Sequence, residues 1–192
     1  HGLYSVKDAI EDYQGAIIEP AFMSASQAYR DSDEMAAALA YRIPTWCYSR
    51  IANPSTYYYE WTLALLEGYG FDGETSCCST SSGMAAIMTA VQPFLQQTAK
   101  SRQPLNFLAT AQCYGGTFQQ FAVRFMQERN IECRWVSNAE NLDEWEKKID
   151  NNTRFLYGEL PSNPQLGFFD IKKVADLAHS HNLLLSCDST IA

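Results

Sequence analysis

From residue 75 to residue 187 the chain alternates short apolar runs with segments of helical period, and few architectures accommodate that alternation. Thr75 to Thr80, Asn106 to Ala111, Glu132 to Val136, Arg154 to Leu160 and Leu183 to Cys187 read as strands. Between them, Gly83 to Gln97 reads as a helix with a kink at Pro93. Thr117 to Arg129 places Phe118, Phe121, Ala122, Phe125 and Met126 at i, i+3, i+4, i+7 and i+8, a helical stripe. Asn141 starts a helix with Glu144 three residues on and Leu142, Trp145 and Ile149 on one face. Asp170 to His181 sets Ile171, Val174, Ala175, Leu177 and Ala178 on one face. Strands separated by helices predict an α/β fold: a mostly parallel, twisted sheet covered on both faces.

The residues before this region behave differently. Residues 1 to 53 sustain no period and read as an extended N-terminal arm with one short helix near Asp33 to Ala40. Asn53-Pro54-Ser55-Thr56 is a helix start with Ser or Thr available as cap, and the helix runs through Glu60 to Glu67 until Gly68 stops it. The chain of 192 residues is therefore divided into an arm, 1–53, and the first part of a larger domain, 54–192. With 46% hydrophobic and 19% charged residues, a folded core is expected. The net charge of -8 and the lack of a basic run argue against nucleic acid as a partner. No apolar run approaches the roughly 18 residues that cross a bilayer, and His1 to Ile10 lacks a charged head followed by an apolar stretch, so a soluble, cytoplasmic protein is expected. Cys47, Cys77, Cys78, Cys113, Cys133 and Cys187 show no C-x-x-C spacing, which points away from zinc and redox sites and toward reduced thiols, several of them buried. Cys113 borders a glycine-rich turn.

In an open α/β sheet, ligands gather beyond the carboxyl ends of the strands. After the first predicted strand come Ser81-Ser82-Gly83-Met84, a small-residue turn entering a helix, where free N–H groups suit an anion such as phosphate. Ser82 can equally serve as a plain helix cap. After the second come Cys113-Tyr114-Gly115-Gly116-Thr117, placing Tyr114 to stack on a planar ligand or to fill a gap. After the fourth, Glu159-Leu160-Pro161-Ser162-Asn163-Pro164 forms a stiff loop that fixes Asn163 near the crevice. After the fifth comes Asp188, a carboxylate that is costly there unless it meets a cation or a proton on a ligand nitrogen, its alternative being a helix cap. The chain has no G-x-G-x-x-G and no G-x-x-x-x-G-K-[ST], which disfavours a nucleotide. A phosphorylated heteroaromatic ring, pyridoxal 5'-phosphate, fits the set, with Asp188 keeping the pyridine nitrogen protonated.

From about Tyr48 onward the chain resembles the first half of the large domain of the cystathionine gamma-synthase family, the fold-type I pyridoxal phosphate enzymes of cysteine and methionine metabolism. The resemblance rests on an ordered set: Tyr48-Ser49-Arg50 with Asn53-Pro54, Ser82-Gly83-Met84-Ala85-Ala86, Tyr114-Gly115-Gly116-Thr117, Glu159 with Pro161 and Asn163-Pro164, Asp170, and Asp188 with Thr190. It implies a cofactor site of Ser82, Gly83, Met84, Tyr114, Asn163, Asp188 and Thr190. Gly83 and Met84 would offer N–H groups to the phosphate. Tyr114 would stack on the ring and act as a catalytic residue on the leaving group. Asn163 would sit near the phenolic oxygen, and Asp188 would pair with the ring nitrogen. Tyr48 and Arg50 would reach the phosphate held by a neighbouring identical subunit of a dimer or tetramer, a homotetramer by the family pattern. The branch most resembled is O-acetylhomoserine sulfhydrylase, with Gly116 where methionine gamma-lyases carry cysteine. Ser55 stands where the family usually has Thr, and Ser189 where it usually has Asn.

The resemblance implies an amino-acid substrate and β/γ-elimination or γ-replacement on a sulfur amino acid or an O-acylhomoserine. One expected feature is missing. The family's cofactor-bonding lysine lies some tens of residues beyond the Asp188 motif, and Lys7, Lys100, Lys147, Lys148, Lys172 and Lys173 do not match it. The chain is therefore expected to be the N-terminal part of such an enzyme. The alternative is a lysine-less homologue, or half of a split enzyme whose partner chain carries the rest, serving in assembly or binding.

Overall fold

The computed structural model describes residues 11, 14–43, 45–96 and 105–192. Lys7, Lys100 and the predicted helix end at Gln97 lie outside the described residues. The chain divides between Ser79 and Thr80 into two compact units.

In the first unit, α1 spans Ser32–Leu39, started by Asp31, whose side chain accepts from the N–H groups of Asp33 and Glu34. Helix α2 spans Pro54–Glu67 with proline in its first turn. Its cap is Asn53 rather than the expected Ser or Thr: Asn53 Oδ1 accepts from Ser55 N at 2.8 Å. Ser55 Oγ instead takes the N–H of Phe22 at 2.9 Å. At the far end a Cβ on Gly68 would meet Thr75 Oγ1 at 2.5 Å and Ala64 O at 2.9 Å, so the chain can fold back only over a glycine. Thr75 to Thr80 is not a strand. Its polar side chains find partners on α2 instead of a ladder: Thr75 Oγ1 donates to Ala64 O at 2.9 Å, and Ser79 donates its N–H and its hydroxyl to Glu60 Oε1 at 2.6 and 2.8 Å.

The second unit carries the sheet. Helix α3 (Gly83–Val91) runs into a 3₁₀ turn (Gln92–Leu95) that contains Pro93, as the kink predicted. Strand β1 (Asn106–Thr110) is followed by α4 (Gly115–Phe118), then by a π-helix (Gln119–Glu128), β2 (Glu132–Val136) and α5 (Leu142–Lys148). Strand β3 (Thr153–Glu159), α6 (Ile171–Ser180) and β4 (Leu185–Asp188) complete it. The four strands are parallel throughout, in the order β2-β1-β3-β4. Alternate side chains of the central strands feed two cores. Phe107, Ala109, Phe155 and Tyr157 pack with Val91, Leu95, Phe121 and Phe125, whereas Leu108 and Leu156 pack with Trp145, Val174 and Ala178. Both faces are therefore covered, as a parallel sheet requires.

The stripe predicted over 117–129 is only half kept. The i→i+5 winding of the π-helix buries Phe121 and Phe125 but leaves Met126 at the surface, and Phe118, the last residue of α4, is exposed as well. Phe118 stacks on Trp135 instead, with centroids 5.2 Å apart. Ile149 ends α5 in an extended conformation, outside the helix. At the amino ends of the strands, buried Asn106 donates to Asp150 at 2.8 Å and Arg134 pairs with Asp150 at 2.8 Å. Burial works against ionisation of Asp150, but the bonds from Asn106, the Asn152 N–H and Arg134 outweigh it and hold the carboxyl at about 2.

Candidate functional site

The chain steps from β1 outward to β2, then crosses back to β3 and on to β4, so the order reverses between β1 and β3. The carboxyl ends of those two strands, Thr110 and Glu159, flank the crevice where ligands bind in sheets of this kind. A cavity of about 340 Å³ opens in the second unit. It brings together every predicted site residue from Ser82 onward: Ser82, Gly83 and Met84 at the start of α3, Tyr114 after β1, Asn163 after β3, and Asp188 with Thr190 at the end of β4.

Ser82 is extended and caps α3, its Oγ accepting from Ala85 N at 3.2 Å. Ser82 is thus a helix cap, and that bond leaves the N–H groups of Gly83 and Met84 for another acceptor. The Tyr114 ring is half exposed. A Cβ on Gly116 would come within 2.6 Å of that ring and 3.2 Å of Met84 Sδ, so glycine at 116 makes room for the ring. Asp188 Oδ1 accepts from Thr190 N at 3.0 Å and Thr190 Oγ1 at 2.6 Å, and Oδ2 lies 3.3 Å from the Tyr157 hydroxyl. Asp188 therefore fixes the turn after β4, and one of its oxygens faces a donor from the core.

The sequence assigns no role to two residues of this site, although Glu159 stands in the motif set quoted above. Tyr157 is one of the apolar-run positions of β3, and no pattern marks its hydroxyl. Burial, followed by the nearby Asp188 charge, pushes its pKa up, so it remains a protonated donor. Glu159 read as part of a stiff loop, but it is buried, and its oxygens accept the N–H groups of Tyr114 at 2.6 Å and Asn163 at 2.7 Å. An acidic residue ending an apolar strand was the available signal. Burial, then the Glu159 and Asp188 charges, pushes the buried Cys113 thiol up to about 12, which makes it inert near neutral pH. All six cysteines are free, with Cys47, Cys113 and Cys133 buried.

No basic side chain lines the cavity among the described residues. Lys148 is tied to Glu144 at 2.7 Å, Lys172 to Asp176 at 2.6 Å, and Lys173 to Asp170 at 3.2 Å. Tyr48 and Arg50 belong to the first unit. Tyr48 bridges to Ser26, and residues 49–51 form a turn rather than the extended segment expected. The Arg50 guanidinium lies over the Tyr48 ring, 5.4 Å from its centroid.

Residues 5–192 match the family model of the Cys/Met metabolism PLP-dependent enzymes. The chain belongs to that family. It is 31% identical to the homocysteine/cysteine synthase of Kluyveromyces lactis over 98% of the chain and 39% of that protein. It is also 31% identical to O-acetyl-L-homoserine sulfhydrylase 1 of Thermus thermophilus, over 89% of the chain and 38% of that protein. A crystal structure of a Campylobacter jejuni protein assigned as an O-acetylhomoserine (thiol)-lyase superposes with a TM-score of 0.78 at 29% identity. The match covers 98% of this chain and 42% of that one, which carries N'-pyridoxyl-lysine-5'-monophosphate. The chain thus spans about two-fifths of the length of these relatives.

The family cofactor is pyridoxal 5'-phosphate, and the residues present fit it. The cavity lining holds the start of α3, whose Gly83 and Met84 N–H groups are free for an acceptor, the Asp188 carboxylate and the half-exposed Tyr114 ring. Among the described residues no helix is long and apolar enough to cross a membrane.

Proposed function

We propose that the intact protein binds pyridoxal 5'-phosphate in this cavity and catalyses γ-replacement on an O-acylhomoserine, with sulfide or a thiol as the incoming nucleophile. The observation that carries the reading is the convergence of Gly83, Met84, Tyr114, Asn163 and Asp188 on one cavity. When bound, the cofactor supplies an electron sink for the substrate's α carbon. The chain's own residues do the rest. The Gly83 and Met84 N–H groups, at the positive end of the α3 dipole, bind the phosphate. A Cβ on Gly83 would meet no protein atom within 4 Å, so internal packing does not demand glycine there, whereas close approach of a phosphate does. Asp188, oriented by Thr190 and Tyr157, holds a proton on the ring nitrogen. Asn163 would lie by the phenolic oxygen. Tyr114 would stack on the ring, and its hydroxyl would give a proton to the carboxylate leaving Cγ and recover one from the incoming thiol or sulfide as sulfur takes that place on Cγ.

The phosphate dianion calls for a cation, and among the described residues the cavity wall offers two carboxylates and no cationic side chain. Arg50 of a neighbouring copy, with Tyr48 beside it, fills that need and makes each site the shared property of two subunits. Titration of the intact protein with pyridoxal 5'-phosphate, followed by assay against O-acetylhomoserine, cystathionine and methionine, tests the reading. Uptake of the cofactor and activity on O-acetylhomoserine with sulfide are expected. Exclusive β-elimination from cystathionine overturns the reaction assigned, and failure of the intact protein to take up cofactor overturns the reading in favour of an assembly or binding subunit. Mixed dimers of Arg50→Ala and Asp188→Ala should recover part of the activity, since one hybrid site carries neither lesion. No recovery in confirmed mixed dimers defeats the shared site.

A further inference from the structure

We propose that Glu159 is a positioning residue, a buried clamp that holds the loops after β1 and β3 in one register and thereby sets where Tyr114 and Asn163 stand. Glu159 is 5% exposed and closes β3 at the point where the strand order reverses. Its own N–H donates to Thr110 Oγ1 at 3.4 Å, at the end of β1. Each carboxylate oxygen takes one backbone N–H from a different loop, Oε2 from Tyr114 and Oε1 from Asn163.

Neither of those N–H groups has a regular partner available. Tyr114 is the residue before the first turn of α4, a position whose N–H no helix bond uses. Asn163 precedes Pro164 in a loop outside the ladder. Left unpaired beside a buried carboxylate, both donors and the charge would be costly. Paired, they form two short charge-assisted bonds. The two residues so held both border the cavity, from the loops after two neighbouring strands. Each oxygen spends one lone pair on a loop N–H, and the loops so tied carry Tyr114 and Asn163, which makes Glu159 a residue that positions its neighbours. Glu159→Gln keeps the shape but replaces one acceptor oxygen with an NH₂ group that opposes an N–H, which breaks one arm of the clamp.

The exchange part of the test is independent of the cofactor, whereas the affinity part rests on the function proposed above. In the intact protein, amide hydrogen exchange should show Tyr114 and Asn163 protected although neither lies inside a ladder or a helix. In Glu159→Gln exchange should quicken about tenfold or more at one of the two amides, the order expected for one bond to a charged acceptor, and in Glu159→Ala at both, while β1 and β3 exchange as before. The affinity for pyridoxal 5'-phosphate should fall about tenfold in Glu159→Gln and further in Glu159→Ala. Exchange unchanged at both amides overturns the clamp, as does faster exchange with cofactor affinity unaltered. Should the variants fail to fold, unprotected Tyr114 and Asn163 amides in the unaltered protein overturn it alone. If the unaltered protein takes up no cofactor, the function proposed above fails and exchange decides the clamp.

Discussion

The two units are held together by different forces. In the second, central strands bury nearly every side chain, and aromatic rings from β1, β3 and the π-helix interlock: Phe107 stacks on Phe155 at 4.7 Å and meets Phe121 edge-on at 4.8 Å. In the first, α2 buries only Pro54 and Ala64 of its fourteen residues, while Tyr59, Trp61, Leu65 and Leu66 remain exposed. Beside a Trp46–Tyr57–Trp61 ring contact, what ties the described part of that unit is a set of bonds made by side chains: Asn53 to Phe22 O and Ser49 Oγ, Ser55 to Phe22, Tyr29 to Trp46, and Thr75 to Ala64. A net hydrogen bond contributes about 1 kcal/mol, and burying a large apolar side chain about 1.5–3 kcal/mol. Sensitivity to mutation should therefore follow apolar contacts in one unit and polar pins in the other.

The largest effect should come from Phe107→Ala. It empties the centre of the aromatic cluster and should cost about 3–5 kcal/mol in urea unfolding. A cost near 1 kcal/mol would mean that the second unit is no better packed than the first. Next comes Asn53→Ala, which deletes the α2 cap at 2.8 Å and the donors to Phe22 O and Ser49 Oγ at 3.1 and 3.0 Å. A loss of about 1–2 kcal/mol is expected, large for a change that removes almost no apolar contact. Helicity lost at α2, read by amide exchange, would assign the loss to the cap.

Acid should act on the second unit with a smaller effect. Glu144 is held at about 2 by a bond from Lys148 and by the N–H groups of Ser137 and Asn138, and Asp150 is held at about 2 by the bonds that outweigh its burial. Both carboxyls bind protons less readily when folded than when unfolded, where they titrate near about 4. Their stabilisation is complete above that range and is lost as pH falls toward 2. Urea midpoints measured from pH 6 down to pH 3 should decline, and in a Glu144→Gln, Asp150→Asn double variant the decline should be shallower.

The same division explains what the sequence disclosed. Helix starts were legible at Ser82, Asn141 and Asp170 because a short polar side chain before an apolar period has one local use, and all three are caps. Strands were legible where apolar runs are buried on both faces, as in β1 and β3. Thr75 to Thr80 has the composition of a strand, but its hydroxyls bond to α2, a tertiary choice that no local pattern records. The stripe over 117–129 had the right residues and the wrong winding. In the site, loop position beyond the strand ends picked out Tyr114, Asn163 and Asp188. Glu159 and Tyr157 were hidden because their roles depend on partners far along the chain, Tyr114 and Asp188.

The smallest effect should come from Leu66→Gln. Leu66 is 67% exposed near the end of α2, and glutamine matches leucine in helix propensity, so neither burial nor backbone preference changes much. The expected change in unfolding free energy lies within about 0.5 kcal/mol. If the exposed α2 side chains instead rest on a second copy in solution, the substitution places an amide in an apolar contact and the loss grows with protein concentration, because association contributes to stability by mass action. Unfolding at two concentrations a hundredfold apart separates these outcomes. A change that stays small at both shows that the exposed face of α2 draws no stability from a second copy. A concentration-dependent loss above about 1 kcal/mol would show that the first unit also relies on apolar burial, supplied between molecules, and would remove the contrast between the two units.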